Sequence, residues 1–170
     1  MESRYLFRGK TIRKCHTSHT AKGFTPVGTW VYGAYAPNHK MGGSDDYTPA
    51  IYETPPGMGA WFTEVDSTTI GQCTGLKDKN GELIFEGDII NRLKPDALSG
   101  AHKVVWQCDR WVLSRIKSLP EYSHNVYPLG NVLPEHIEII GNVHDDSPEL
   151  LFADKSGIEY ADMPVLESAT

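Results

Sequence analysis

The chain has 170 residues, of which 39% are hydrophobic and 22% are charged, a composition that indicates a folded protein and excludes an intrinsically disordered one. No run approaches the ~18 consecutive apolar residues of a membrane span, and the charged N-terminus lacks the apolar stretch of a signal peptide, so we expect a cytoplasmic protein. The net charge of −6 is unevenly distributed, because residues 131–170 contain nine acidic residues and one lysine whereas the rest of the chain is slightly basic.

The first predicted strand, residues 4–12, interleaves basic and aromatic side chains. This pattern is typical of a surface that binds single-stranded nucleic acid. Dispersed charges on an edge strand also prevent unwanted pairing with other strands, which is the structural interpretation of the same residues. The candidate nucleic-acid patch consists of Arg4, Arg8, Lys10, Arg13 and Lys14.

A second strand is predicted over residues 28–36, with Trp30 and Tyr32 on the same face. Residues 38–59 are rich in glycine and proline and predict long loops, with room for one short strand at residues 51–52. Exposed apolar side chains on such loops suit a protein interface better than a deep substrate pocket. The candidate interface consists of Met41, Tyr47, Ile51, Tyr52 and Met58.

Residues 69–90 predict a tight β-hairpin followed by a further strand. Asp78 can accept backbone hydrogen bonds at the first position of a type I turn, and Gly81 suits the positive φ that commonly follows such a turn. A two-residue type I′ turn centred on Asn80 and Gly81 is the alternative. The apolar run 83–85 indicates a strand that is covered on both faces.

Later strands are predicted over residues 89–93, 103–107 and 111–116, the last two joined as a second hairpin. Pro134 can open one turn of helix before extended structure resumes at Ile137. Large aromatic side chains contribute much of the buried area of small cores. Three tryptophans are therefore expected mainly in the core: Trp61, Trp106 and Trp111.

Short strands at close spacing with glycine-rich corners predict a mainly β protein. We expect two small β subdomains, of which the C-terminal one is an SH3-like or related small barrel. The N-terminal subdomain with its long loops spans residues 1–69, and the small barrel spans residues 70–151. Residues 152–170 form an acidic tail that we expect to be dispensable for folding.

The segments that resemble catalytic motifs have sufficient structural explanations. Residues 71–77 differ from a phosphate-binding loop, because their glycines are too close together and no Lys-Ser/Thr pair follows. The carboxylates of Glu82, Glu86 and Asp88 offer a pair for acid–base or magnesium chemistry. If the strand at 83–85 turns its first and last side chains inward, Glu82 and Glu86 share the opposite face as solvated edge charges, which is the favoured interpretation. We therefore predict no catalytic residues, no cofactor and no enzymatic activity.

Cysteine and histidine residues are spaced irregularly along the chain. Three potential metal ligands lie on one loop, with two distant candidates, but their spacing matches no zinc motif closely. These residues are Cys15, His16 and His19, followed by His144 and Asp145. Surface histidines are the favoured interpretation, so no metal site is predicted. Three cysteines at long spacing predict reduced thiols rather than a disulfide framework.

A set of short motifs occurs in one order over residues 4–151. They include FRGK at 7–10, WVYG at 30–33, TIGQ at 69–72, TGL at 74–76, DKNG at 78–81, EGDI at 86–89, IGNV at 140–143 and PELL at 148–151. In these motifs the chain resembles the YopX-like family of phage and prophage proteins. The resemblance implies an all-β, phage-encoded protein of unassigned biochemical function in the host cytoplasm.

We expect a non-enzymatic protein-interaction or accessory module. Its partner is a phage or host protein, or a second copy of the chain in a homo-oligomer, and no membrane association is predicted. The alternative is a nucleic-acid-associated accessory protein that uses the basic N-terminal strand, with the acidic C-terminal region as an intramolecular competitor. Net acidity disfavours this alternative, and a steep loss of affinity with salt would reveal it.

Overall fold

The computed structural model describes residues 5–14, 25–40, 47–54, 59–93, 100–116 and 126–145. These residues form eleven β-strands in two antiparallel sheets, and their only helical elements are short 3-10 turns. The prediction of a mainly β protein is confirmed. The predicted acidic tail, residues 152–170, lies outside the described residues.

The first sheet has six strands in the order β4-β3-β2-β1-β5-β6. Its strands are β1 (Phe7–Lys10), β2 (Trp30–His39), β3 (Thr48–Glu53), β4 (Trp61–Glu64), β5 (Gly71–Lys77) and β6 (Leu83–Phe85). One face carries a core cluster of Val31, Ile51 and Val65, because alternate residues of each strand point to the same side.

The second sheet has five strands in the order β10-β9-β8-β7-β11. Its strands are β7 (Asp88–Arg92), β8 (Gly100–Gln107), β9 (Arg110–Arg115), β10 (Val126–Pro128) and β11 (Ile137–Asn142). Its core contains Ile90, Val104, Leu113 and Ile137, together with Ile84 from the first sheet. Strand β6 therefore pairs with the first sheet while its central side chain packs in the second core.

The two sheets are open in the described part of the chain. Strands β10 and β11 are the edges of the second sheet, so the closed SH3-like barrel predicted for residues 70–151 is not observed there and stays a prediction. Strands β5 and β6 fall within that range but extend the first sheet, because β5 pairs with β1 and β6 pairs with β5. The predicted division at residue 70 thus lies within a continuous sheet.

The turn between β5 and β6 is the type I turn that the sequence predicts. The backbone N–H of Gly81 donates to the Asp78 carbonyl at 3.0 Å, and Asp78 Oδ1 accepts from the backbone N–H groups of Asn80 and Glu82. Gly81 has a φ of 83°, whereas the type I′ alternative would also require a positive φ at Asn80, which the structure does not show. The turn chemistry of Asp78 and Gly81 is therefore confirmed.

Replacing Gly81 by valine is expected to lower the free energy of unfolding by ~1–2 kcal/mol, because a β-branched residue tolerates positive φ poorly. An added Cβ would meet no atom within 4 Å, so the cost is conformational rather than steric. Thermal or urea unfolding measures the change. Gly81→Asn is the control, since asparagine adopts this conformation more readily, and equal losses in the two variants would contradict the explanation.

The second predicted hairpin is also confirmed, but its tryptophans are not both in the core. Cys108 and Asp109 have φ values of 49° and 59°, as a two-residue type I′ turn requires. Trp106 and Trp111 face each other across the hairpin with ring centroids 4.9 Å apart. Trp106 lies beyond the buried end of the hairpin and is 55% exposed, and Trp61 on edge strand β4 is also exposed. The prediction that these two residues are core residues is wrong.

Candidate functional site

A buried ion pair joins the two sheets. The guanidinium of Arg8 on β1 donates from Nη2 to Oδ1 of Asp88, the first residue of β7, and to the backbone carbonyl of Glu86 at 3.3 Å. Both side chains are buried. Gly71 permits the close approach, because a Cβ there would lie 2.6 Å from the Glu86 carbonyl oxygen. The first sheet therefore binds the β6–β7 turn through a charge pair.

The other contacts of Asp88 complete this junction. Its Oδ2 accepts from the backbone N–H of Phe85 at 2.7 Å, and its Oδ1 accepts from the side-chain amide of Asn142 at 3.3 Å. Burial raises the pKa of the Asp88 carboxyl, while Arg8 and these hydrogen bonds oppose the increase. Asp88, which the sequence offered with Glu82 and Glu86 as part of a candidate carboxylate pair, is thus a buried structural residue.

Aromatic rings enclose the Arg8 guanidinium. Its central carbon lies 4.6 Å from the ring centroid of Trp30 and 4.7 Å from that of Phe85. Tyr32, which pairs with Arg8 across β1 and β2, packs edge-on against Phe85 at 5.6 Å. Burial raises the pKa of the Tyr32 hydroxyl. The cation–π contacts with Trp30 and Phe85 add to the ion pair with Asp88 and fix the position of the Arg8 guanidinium.

A second polar cluster lies beside this junction and is more exposed. The carboxylate of Asp145 accepts from the indole Nε1 of Trp30 at 2.9 and 3.1 Å and pairs with Lys10 Nζ at 2.5 Å. Lys10 Nζ also donates to the His144 carbonyl oxygen at 2.8 Å and lies 5.3 Å from the Trp30 ring centroid. We call Lys10, Trp30 and Asp145 the carboxylate cluster.

Aromatic side chains continue along the same face of the first sheet. His39 stacks on Phe62 with a centroid distance of 4.1 Å. Tyr52 on β3 pairs with Phe62 on β4, and their ring centroids lie 4.7 Å apart. Phe62 is 44% exposed and Tyr32 is 40% exposed. We call Tyr32, His39, Tyr52 and Phe62 the aromatic face. It shares its side of the sheet with the carboxylate cluster, because Tyr32 and Trp30 are two residues apart on β2.

The residues of the candidate nucleic-acid patch do not form one basic surface. Arg8 is buried against Asp88, Lys10 pairs with Asp145, and Arg13 Nε lies 2.8 Å from a carboxylate oxygen of Glu64. Lys14 is exposed, and Arg4 lies outside the described residues. Three of these cations therefore have carboxylate partners within the chain.

The residues of the candidate protein interface are also in different environments. Tyr47 is 66% exposed, and Tyr52 is half-buried on the aromatic face. Ile51 is fully buried in the first core, on the face of β3 opposite to Tyr52, because successive side chains of a strand point to opposite faces. We therefore assign it to the core and not to an exposed interface. Met41 and Met58 lie outside the described residues.

In the part of the chain that the structure describes, no group of three or more histidine, cysteine or carboxylate side chains is arranged to hold a metal ion. His144 packs edge-on against Trp30, and Cys15, His16 and His19 lie outside the described residues. Cys73 and Cys108 are free thiols, and burial raises the pKa of Cys73. Within the same residues, no helix has the length and apolar character needed to cross a membrane.

Comparison with known proteins identifies the family. No curated protein shows significant similarity to the chain. The family described as YopX protein matches residues 36–152, which include strands β3 to β11 and therefore Asp88, Asn142 and Asp145. Strand β1, with Arg8 and Lys10, precedes the matched residues. Because the match covers more than half of the chain, this protein belongs to the YopX family.

Proposed function

We propose that this YopX-family protein is a non-enzymatic, phage-encoded interaction module that acts in the host cytoplasm and binds a phage or host protein. The small barrel predicted for residues 70–151 stays part of this proposal. The observation that carries it is the aromatic face, where exposed and half-buried rings lie together on a sheet. Aromatic residues are enriched at the energetic centres of protein interfaces.

The pairing of the basic residues favours this function over nucleic-acid binding. A phosphate at Arg8 or Arg13 would have to compete with Asp88 or Glu64, which already pair with these cations of the basic patch. For Arg8 that exchange would also leave a buried carboxylate without its cation, which is strongly unfavourable. Nucleic-acid binding remains the alternative, with the His39–Phe62 stack as the platform on which a base would lie.

Replacing Phe62 by serine is expected to abolish capture of the partner from host or infected-host lysate, because it removes the central ring of the aromatic face. The measurement is quantitative mass spectrometry of proteins retained by the immobilised chain. Leu133→Ser is the matched control, since Leu133 is 57% exposed but belongs to the segment between β10 and β11. Sedimentation of the purified protein tests whether the partner is a second copy.

The result that would overturn the proposal is a set of retained proteins that is the same for wild type and Phe62→Ser. Binding to single- or double-stranded nucleic acid at ~50 mM salt that falls steeply at ~200 mM salt would instead favour the alternative. The alternative also predicts that this binding is lost when Arg13 and Lys14 are replaced, since these are the described residues of the basic patch with exposed side chains.

A further inference from the structure

We infer that Lys10 and Trp30 form a carboxylate-recognition subsite for an acidic segment of the partner protein, and that Asp145 occupies this subsite until the partner displaces it. The inference rests on the proposed function and names the chemistry of the partner that the same face would bind. It follows from the contacts, the charges and the position of the carboxylate cluster.

The contacts show that the subsite accepts a carboxylate. Both oxygens of Asp145 lie within hydrogen-bond distance of Trp30 Nε1, and one of them pairs with Lys10 Nζ. An indole N–H and an ammonium group are both donors, so together they select an acceptor that carries negative charge. Asp145 supplies that acceptor from within the chain and stands in for a glutamate or aspartate of the partner.

The local charges favour an anion after Asp145 has left. His144, beside the cluster, has its pKa lowered by burial and by the nearby cations Lys103, Lys10 and Arg8. The pKa of Asp145 is also lowered, since hydrogen bonds from Lys10 and Trp30 outweigh the opposing effect of burial. The contributions of the cations Lys10 and Arg8, which lower both pKa values, indicate a positive potential at this position, and Arg8 is already engaged with Asp88.

The exposure of the cluster makes exchange feasible. Asp145 is 37% exposed and Lys10 is 19% exposed, whereas the Arg8–Asp88 pair next to them is buried. Asp145 lies in a turn that follows β11, so its carboxylate can leave without opening the ladder of either sheet. A partner carboxylate would then form with Lys10 and Trp30 the charge-assisted hydrogen bonds that Asp145 had formed.

The position of the subsite connects it to the aromatic face. Trp30 and Tyr32 project from the same face of β2, so a segment that lies over Tyr32 brings its neighbouring side chains to Lys10. The partner segment that suits both features carries apolar or aromatic residues for the aromatic face and an acidic residue nearby. Such a segment gains affinity from the rings and orientation from the carboxylate.

Asp145→Asn is expected to increase the affinity for a short polyglutamate peptide about 5- to 10-fold, because it removes the intramolecular competitor and raises the population of the open subsite. The measurement is an NMR titration that follows the indole N–H resonance of Trp30, assigned by comparison with Trp30→Phe. Asp109→Asn is the control, since Asp109 is an exposed acid in the β8–β9 turn, and should leave the affinity unchanged. A polyglutamine peptide should produce no shift.

Adding Lys10→Gln to Asp145→Asn should abolish the shift, and Lys10→Arg should retain it, with unfolding temperatures confirming that both variants fold. Equal affinities of Asp145→Asn and Asp109→Asn would overturn the inference, as would a Trp30 shift produced by an oligonucleotide but not by polyglutamate. If polyglutamate fails while Phe62-dependent capture persists, the inference falls and the proposed function stands. If capture does not depend on Phe62 but the titration succeeds, the proposed docking face is wrong and the carboxylate subsite stands.

Discussion

Replacing Asp88 by alanine is expected to lower the free energy of unfolding by about 3–5 kcal/mol. The substitution leaves the guanidinium of Arg8, which is 7% exposed, without its carboxylate partner. It also removes the acceptor for the backbone N–H of Phe85 and the side-chain amide of Asn142. An uncompensated charge inside the protein costs far more than a lost surface pair, so this is the largest effect we expect from one substitution. Urea unfolding measures it.

The matched control is Glu138→Ala. Glu138 pairs with Lys79 at 3.1 Å, but each of those side chains is about one-third exposed, so the expected loss is below about 1 kcal/mol. The double variant Arg8→Met with Asp88→Leu removes both charges and is expected to recover part of the stability, while the Phe85 N–H and the Asn142 amide still lack their acceptor. A loss in Asp88→Ala no larger than in Glu138→Ala would show that the junction does not depend on this pair.

The parts of the fold that the sequence predicted are those that local chemistry determines. The Asp78–Gly81 turn needs only a capping carboxylate and a residue with positive φ, and both are adjacent in the sequence. Strand β9 and the 3-10 turn Pro134–His136 were likewise predictable from apolar periodicity and from proline. Strands β4 and β10 were missed, because Trp61–Glu64 follows a proline- and glycine-rich segment and Val126–Pro128 is short and ends in proline.

The junction was not predictable, because its partners are distant in sequence. Arg8 and Asp88 are separated by 80 positions, and a basic residue on a predicted edge strand is more often exposed. One signal was present: Asp88 lies between the apolar runs 83–85 and 89–90, where a solvated carboxylate is uncommon. The aromatic face had a weaker signal in the two-residue spacing of Trp30 and Tyr32, while Phe62 had none.

The unfolding free energy of the protein is expected to fall by about 3 kcal/mol between pH 7 and pH 4 because of His102 alone. The ring of His102 is fully buried in β8, its Nδ1 lies 2.9 Å from the Gly100 carbonyl oxygen, and its Nε2 has no hydrogen-bond partner among the described residues. The pKa of His102 is lowered to about 4, mainly by burial and also by the charges of Arg115 and Arg92, against the opposing effect of the Gly100 hydrogen bond.

The sign follows from the two protonation states. The unfolded chain binds a proton at His102 near the ordinary pKa of 6.5, whereas the folded protein does so only near pH 4, so stability is lost across this interval and the loss from His102 stops below it. His102→Gln removes the titration and should flatten the pH dependence by this amount. His136→Gln, on a half-buried histidine, is the control and should retain it.

The difference between wild type and His102→Gln isolates this residue from the other acid-sensitive groups. His144 contributes in the same direction, since its pKa is also lowered, and Asp78 and Asp145, whose pKa values lie below the ordinary carboxyl range, lose their stabilising contribution at lower pH. These contributions are common to both proteins and cancel in the comparison. Parallel stability curves for wild type and His102→Gln from pH 7 to pH 4 would show that the ring is not buried in its neutral form.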